Sequence, residues 1–72
     1  MATIKKIGIT DEYITLGQFL KLADLIASGG EAKAFLMENE VIINKEKDQR
    51  RGRKLYAGDI IETTGKVYEI CR

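Results

Sequence analysis

Apolar and polar positions along the chain divide it into short segments of changing period. Between Thr3 and Ile9, Ile7 and Ile9 stand two apart, the spacing of a first strand. Asp11-Glu12 reads as a turn, with Tyr13-Ile14 leading out of it. The period then changes to that of a helix. Thr15-Leu16-Gly17-Gln18 matches the capping box, in which a hydroxyl accepts from the N3 amide and the N3 side chain accepts from the cap amide. Leu16, Phe19, Leu20, Ala23 and Ile26 follow on one face, and Leu22 and Leu25 widen that stripe. This predicts a first helix to about Ala27, ended by a glycine-assisted turn. Ser28-Gly29-Gly30-Glu31 is a second capping box, opening a helix whose apolar face is Ala32, Phe35 and Leu36 and whose left-handed stop is Asn39. The two helices are expected to meet at an almost absent connector.

After Glu40 comes Val41-Ile42-Ile43-Asn44, a β-branched run too short for a helix, with Val41 and Ile43 on one face and Ile42 on the other. Turns are expected at Asn44-Lys45, Ala57-Gly58-Asp59 and Thr64-Gly65-Lys66. Between and after them lie a short polar strand in 46–49, Leu55-Tyr56, Ile60 to Thr63, and Val67 to Ile70. The order, roughly β-α-α-β-β-β-β, predicts an α+β fold with two short helices packed on a small, mostly antiparallel sheet.

Composition narrows the function. Seventy-two residues are read as a single domain, 1–72, with a small core, since a chain of this size buries only about 60% of its unfolded surface. The chain has no apolar run of bilayer length, and its start, MATIKKIGIT, lacks the apolar segment of a secretory leader. Its one cysteine, Cys71, cannot form an internal disulfide, so a cytosolic protein is expected. Histidine is absent, which removes the usual proton-transfer group near neutral pH, and Cys71 has no imidazole or second thiol to work with. Glu31, Glu38, Glu40, Asp48 and Glu62 are scattered among polar neighbours, as solvated carboxylates are. An enzyme is therefore not expected, nor a cofactor, a metal or a small-molecule substrate.

Charge is distributed unevenly. Residues 45–54 hold six of the twelve cations (Lys45, Lys47, Arg50, Arg51, Arg53, Lys54) and two acids, a balance of +4. The remaining 62 residues have six cations and nine acids, or −3, although the whole chain is only +1. A concentrated field of this kind attracts polyanions. Arginine's planar fork can bind phosphate bidentately and stack on bases. Gly52 either lets the loop backbone approach a phosphate or serves a turn. Ser28-Gly29-Gly30 lacks both the P-loop spacing and a preceding strand, so nucleotide binding is not indicated.

Taken in order, TLGQFLKLA, SGGEAK, the short strand ending in Asn44, the basic run DQRRGRKLYAGD and the following Ile60-Ile61 resemble a known module over positions 14–61. The chain resembles the αL-motif RNA-binding domain of ribosomal protein S four, also appended to bacterial tyrosyl-tRNA synthetases and pseudouridine synthases. Within that family it looks most like the small stand-alone members associated with bacterial ribosome maturation. The resemblance implies a non-catalytic binder of structured RNA, most simply ribosomal RNA, acting in large-subunit assembly or as a ribosome-associated factor; a monomer is expected. Carried across by residue, it implies RNA contacts at Ser28, Lys33, Arg50, Arg51, Arg53 and Lys54, with Lys21 on the first helix and Lys45 and Lys47 as further cations. Many relatives have Arg after the serine and Gly after the strand-ending Asn, where this chain has Gly29 and Lys45. Ser28 serves as a helix cap whether or not it also meets a phosphate. Tyr56 suits base stacking and sheet packing equally, while Tyr13, Tyr68, Phe19 and Phe35 are expected in the core or sheet. The alternative reading is a protein–protein adaptor that docks an acidic partner through its basic loop.

Overall fold

A computed structural model describes residues 3–72; Met1 and Ala2, the first two residues of the segment read as lacking a leader, lie outside it. The strands are β1 (Ile4–Gly8), β2 (Tyr13–Thr15), β3 (Val41–Ile43), β4 (Glu46–Lys47), β5 (Lys54–Tyr56), β6 (Ile60–Thr63) and β7 (Lys66–Cys71). Between β2 and β3 stand α1 (Leu16–Leu22), a 3₁₀ turn (Gly29–Glu31) and α2 (Ala32–Glu38). The expected α+β class and the placing of the helix pair hold, with Tyr13–Thr15 added as a strand of its own before the helices and five strands following them where the rough order had four. Five strands form a sheet in the order β1-β7-β6-β3-β4, antiparallel except for the parallel pair β1–β7. β2 and β5 form a separate antiparallel ribbon.

Strand alternation builds the core. Ile43 pairs with Ile61, Ile61 with Tyr68, and Ile7 with Ile70, so the inward positions stack across the sheet. Leu16, Phe19 and Leu20 of α1 and Ala32 and Leu36 of α2 close over them. Phe19 meets Tyr68 edge-on, with ring centres 5.3 Å apart at 82°. Each large side chain buried in this way contributes about 1.5–3 kcal/mol relative to exposure. The one inward hydroxyl of β6, on Thr63, donates to the Glu40 carbonyl at 2.8 Å, which removes the cost of burying it.

Both ends of α1 have a local cause. Thr15 Oγ1 accepts from the Gln18 amide at 3.3 Å, and Gln18 Oε1 accepts from the Thr15 amide at 3.0 Å, the reciprocal pair expected. The far end differs from expectation: α1 stops at Leu22, not near Ala27, and no glycine takes part. Asp24 adopts a left-handed φ of 61°, the Leu25 amide donates to the Leu20 carbonyl, and the Asp24 amide donates to the Lys21 carbonyl. That is the Schellman arrangement, and Leu25 as its apolar residue packs against the core. Leu22 is consequently exposed, outside the stripe it was expected to widen.

The connector is longer than expected, running from Ala23 to Ser28. Glu31 turns back to accept from the amides of Ala27 and Ser28, the return half of the expected box, while its own amide donates to the Ser28 carbonyl at 3.1 Å; the pair opens the 3₁₀ turn and only then α2. Asn39 ends α2 in extended rather than left-handed backbone, with its amide side chain donating to the Phe35 carbonyl at 3.1 Å. Asn44 and Lys45 have φ of 51° and 72° between the paired residues Ile43 and Glu46, which makes the β3–β4 connection a type I′ hairpin.

Candidate nucleic-acid interface

The basic loop between β4 and β5 is held from beneath by its own aspartate. Asp48, expected to be a solvated carboxylate, is only 8% exposed and accepts five hydrogen bonds. The Arg50 amide donates to Oδ1 at 2.8 Å, Arg50 Nε and Nη2 clasp both oxygens at 2.9–3.3 Å, and Arg53 Nη1 donates to Oδ2 at 2.8 Å. The Arg50 guanidinium beside it holds the Asp48 carboxyl well below the usual carboxylate range, outweighing the opposing effect of burial. Sequence spacing gave no sign of this, because the burial arises only when the Asp48 amide donates to the Val41 carbonyl and draws the loop inward.

The two arginines therefore differ. Arg50 remains 76% exposed at its side chain with Nη1 unengaged among the described residues, so it can still offer a fork edge to a ligand. Arg53 is 27% exposed and acts chiefly as a strut under the loop. Among the described residues Arg51 makes no such bond, and it is exposed.

The loop is also bolted to the start of α1. The Leu16 amide donates to the Arg53 carbonyl at 2.8 Å, and the Gly17 amide donates to the Arg51 carbonyl at 3.0 Å. Helix amides left without intrahelical partners are thus satisfied by the loop itself. The approach is close but not crowded: a Cβ on Gly17 would lie in ordinary contact, 3.6 Å from the Arg51 oxygen and 3.8 Å from Ala32 Cβ.

This bolting gathers cations from distant positions in the chain. One open groove is lined by Thr15, Gly17, Gln18 and Lys21 of the α1 region, Gly29 and Ala32, and Arg51 and Gly52 of the loop. On the other side of Gly52 a second groove is lined by Arg50, Gly52, Arg53, Lys54, Tyr56 and Asp59. Of the candidate residues, Lys21, Arg50, Arg51, Arg53 and Lys54 line these two grooves. Ser28 and Lys33 are exposed near the 3₁₀ turn but line neither. Lys45 stands in the β3–β4 turn, and Lys47 pairs with Glu40 at 2.6 Å, which raises the lysine's pKa above its ordinary value.

The Gly58-Asp59 turn belongs to the scaffold. Gly58 has φ 96°, the left-handed position of the turn from Tyr56 to Asp59, whose ends join through the Asp59 amide and the Tyr56 carbonyl. Asp59 accepts from the Tyr56 amide and from Asn44 Nδ2, and Asn44 Oδ1 accepts from the Ile60 amide at 3.0 Å. Asn44 therefore joins the hairpin tip to the turn that returns the chain to the sheet.

One aromatic pair lies outside the core. Tyr13, expected in core or sheet, is a strand residue but 38% exposed, opposite Tyr56 in the ribbon, which is 43% exposed. Their ring centres are 5.7 Å apart, and Lys54 Nζ lies 5.0 Å from the Tyr13 ring centre. A period-two reading from Tyr13 to Thr15, with Ile14 inward, is the signal that could have placed Tyr13 outward.

Two comparisons with known proteins bear on this arrangement. Residues 7–71 match the family model described as the S4 domain. The chain belongs to the S4 domain family. Over 59 residues, 82% of this chain and 83% of the relative, it is 66% identical to the "Probable ribosome maturation protein RlbA" of Bacillus subtilis (strain 168). The S4 domain match spans both helices, the basic loop and all but three residues of β1, so the two grooves lie inside it.

Proposed function

We propose that this S4 domain protein binds structured RNA without catalysis, and that its RNA is ribosomal, met during assembly of the large subunit in the cytosol. The observation that carries this reading is the convergence of Lys21, Arg50, Arg51 and Lys54 on two grooves that meet at Gly52. Phosphates fit such open, cation-lined grooves, and arginine can engage them through its fork. Groove geometry of this kind follows the shape of an RNA backbone more than its sequence. The ribosomal assignment is supported by the relative, whose name speaks of ribosome maturation.

Binding to a structured ribosomal RNA fragment at increasing salt tests the reading directly. Neutralising about three to five phosphates gives a slope of log affinity against log salt of roughly −2 to −4. A flat slope overturns it. Pull-down with and without nuclease separates the adaptor alternative: an RNA binder loses its partners after digestion, and an adaptor for an acidic protein keeps them.

A further inference from the structure

We propose that the outer face of the β2–β5 ribbon, carrying Tyr13 and Tyr56, is a stacking site for an unpaired RNA base whose phosphate is taken by Lys54 and Arg50; this rests on the RNA-binding reading above. Register builds the face. Tyr13 pairs with Tyr56 and Thr15 with Lys54, while the intervening pair Ile14–Leu55 is buried. Alternation therefore sends both rings and the lysine to the same side, away from the core.

The inward pair already anchors the ribbon, since Leu55 is fully buried and Ile14 nearly so. Cross-strand contact explains why the two rings touch each other, but not why both remain substantially open to water. Placement supplies the second argument. Tyr56 lines the same groove as Arg50 and Lys54, and the Lys54 ammonium stands beside the Tyr13 ring. A nucleotide presents one π-face and one phosphate, and an aromatic surface next to cations matches both. A paired helix offers no free base face, so the site selects loops, bulges or single strands.

Two RNA hairpins of identical stem test the site: one with an unpaired purine loop, and one whose loop has the same phosphates but abasic sugars. The native protein is expected to bind the loop with bases about 5- to 100-fold more tightly. Tyr13→Thr with Tyr56→Thr is expected to bring the ratio close to one while retaining salt-dependent binding of both hairpins. Tyr13→Phe with Tyr56→Phe is expected to preserve it. A native ratio near one, or a ratio unchanged in the threonine variant, overturns stacking while RNA binding stands. A native protein that binds neither hairpin overturns the RNA reading and the stacking site with it. Because the readout is a ratio within each protein, a threonine variant that misfolds shows itself by losing both hairpins, and the native ratio then decides.

Discussion

Arg53 donates from Nη1 to Asp48 Oδ2 at 2.8 Å, with both side chains largely shielded from water. The same carboxylate clasps Arg50, so one buried acid sets the shape of the loop that carries Arg50, Arg51 and Arg53. Asp48→Ala leaves Arg53 without its counter-charge in a partly desolvated place. Hydrogen bonds to charged groups are worth about 1.5–3 kcal/mol, so the variant is expected to lose about 2 kcal/mol. In a domain of this size that is a fall in Tm of roughly 10 °C, read by thermal melting. An unchanged Tm would show that the loop holds its shape without the acid.

The same carboxylate gives an acid limb with a defined sign. Asp48 has a folded pKa below its unfolded one, so its stabilising effect is complete above the unfolded carboxylate value, about 3.9. It is lost as pH falls below that value towards the depressed folded pKa. Urea midpoints of the native protein are therefore expected to drop steeply below about pH 4. Asp48→Asn starts from a lower midpoint at neutral pH and shows a shallower decline on acidification. Parallel acid limbs in the two proteins would assign the acid sensitivity to other carboxylates.

Charge position separates the cations from one another. Lys21 and Arg51 come from different elements and line one groove, whereas Lys47 is paired with Glu40 and lies outside both. Lys21→Gln and Arg51→Gln are each expected to lower the magnitude of the salt slope by about 0.7–0.9, one phosphate contact apiece. Lys47→Gln should leave the slope within error. Replacing Arg50, Arg51 and Arg53 together is a poorer test, because it strips Asp48 of its partners and changes the loop as well as the charge. Equal slopes in all three single variants would place the RNA elsewhere.

Local chemistry is what the chain displays openly. Thr15 with Gln18 and Glu31 with Ser28 are pairs three residues apart, and both form because each needs only its own turn. The cationic residues are equally open to view, since charge counts survive any fold. What escapes are features made by contact between distant segments. The loop carbonyls of Arg51 and Arg53 take the first amides of α1, thirty-odd positions away, and only then does Lys21 share a groove with Arg51. Asp48 looks solvated in sequence because nothing beside it is apolar; its burial depends on Val41. The end of α1 misleads for a different reason. Asp24 takes the left-handed place expected of Gly29 and Gly30, and the apolar stripe continues past it through Leu25 and Ile26 in non-helical backbone.

Lys45 occupies a strained position. A type I′ hairpin needs positive φ at both central residues, and the second here is a lysine at 72°. An L-residue with a long side chain pays about 1–2 kcal/mol for that region, and glycine avoids most of this while losing about 0.5–1 kcal/mol to backbone entropy. Lys45→Gly is expected to raise stability by about 0.5–1 kcal/mol, seen as a higher denaturant midpoint with unchanged slope. RNA affinity should stay within about twofold, since Lys45 lines neither groove. A large loss of affinity would instead make this lysine a ligand for phosphate, its strained backbone serving binding.

Gly52 lines both grooves and so forms the low ridge between them. Nothing among the described residues demands a glycine there. Its φ is outside the left-handed region, and a Cβ on it would meet no atom of the described residues within 4 Å. Gly52→Ala is therefore expected to leave stability unchanged or to raise it by about 0.4–1 kcal/mol, through a less flexible unfolded chain. If an RNA backbone crosses the ridge from one groove to the other, the same site cannot tolerate bulk. Gly52→Val is then expected to weaken RNA binding by about tenfold or more, as contacts on both sides are held apart, each charge-assisted hydrogen bond lost being worth about 1.5–3 kcal/mol. Thermal melting and filter binding on the same preparations give the two readouts. A valine variant that is stable and binds with native affinity would mean that the grooves are used separately, with the RNA turning away before it reaches Gly52.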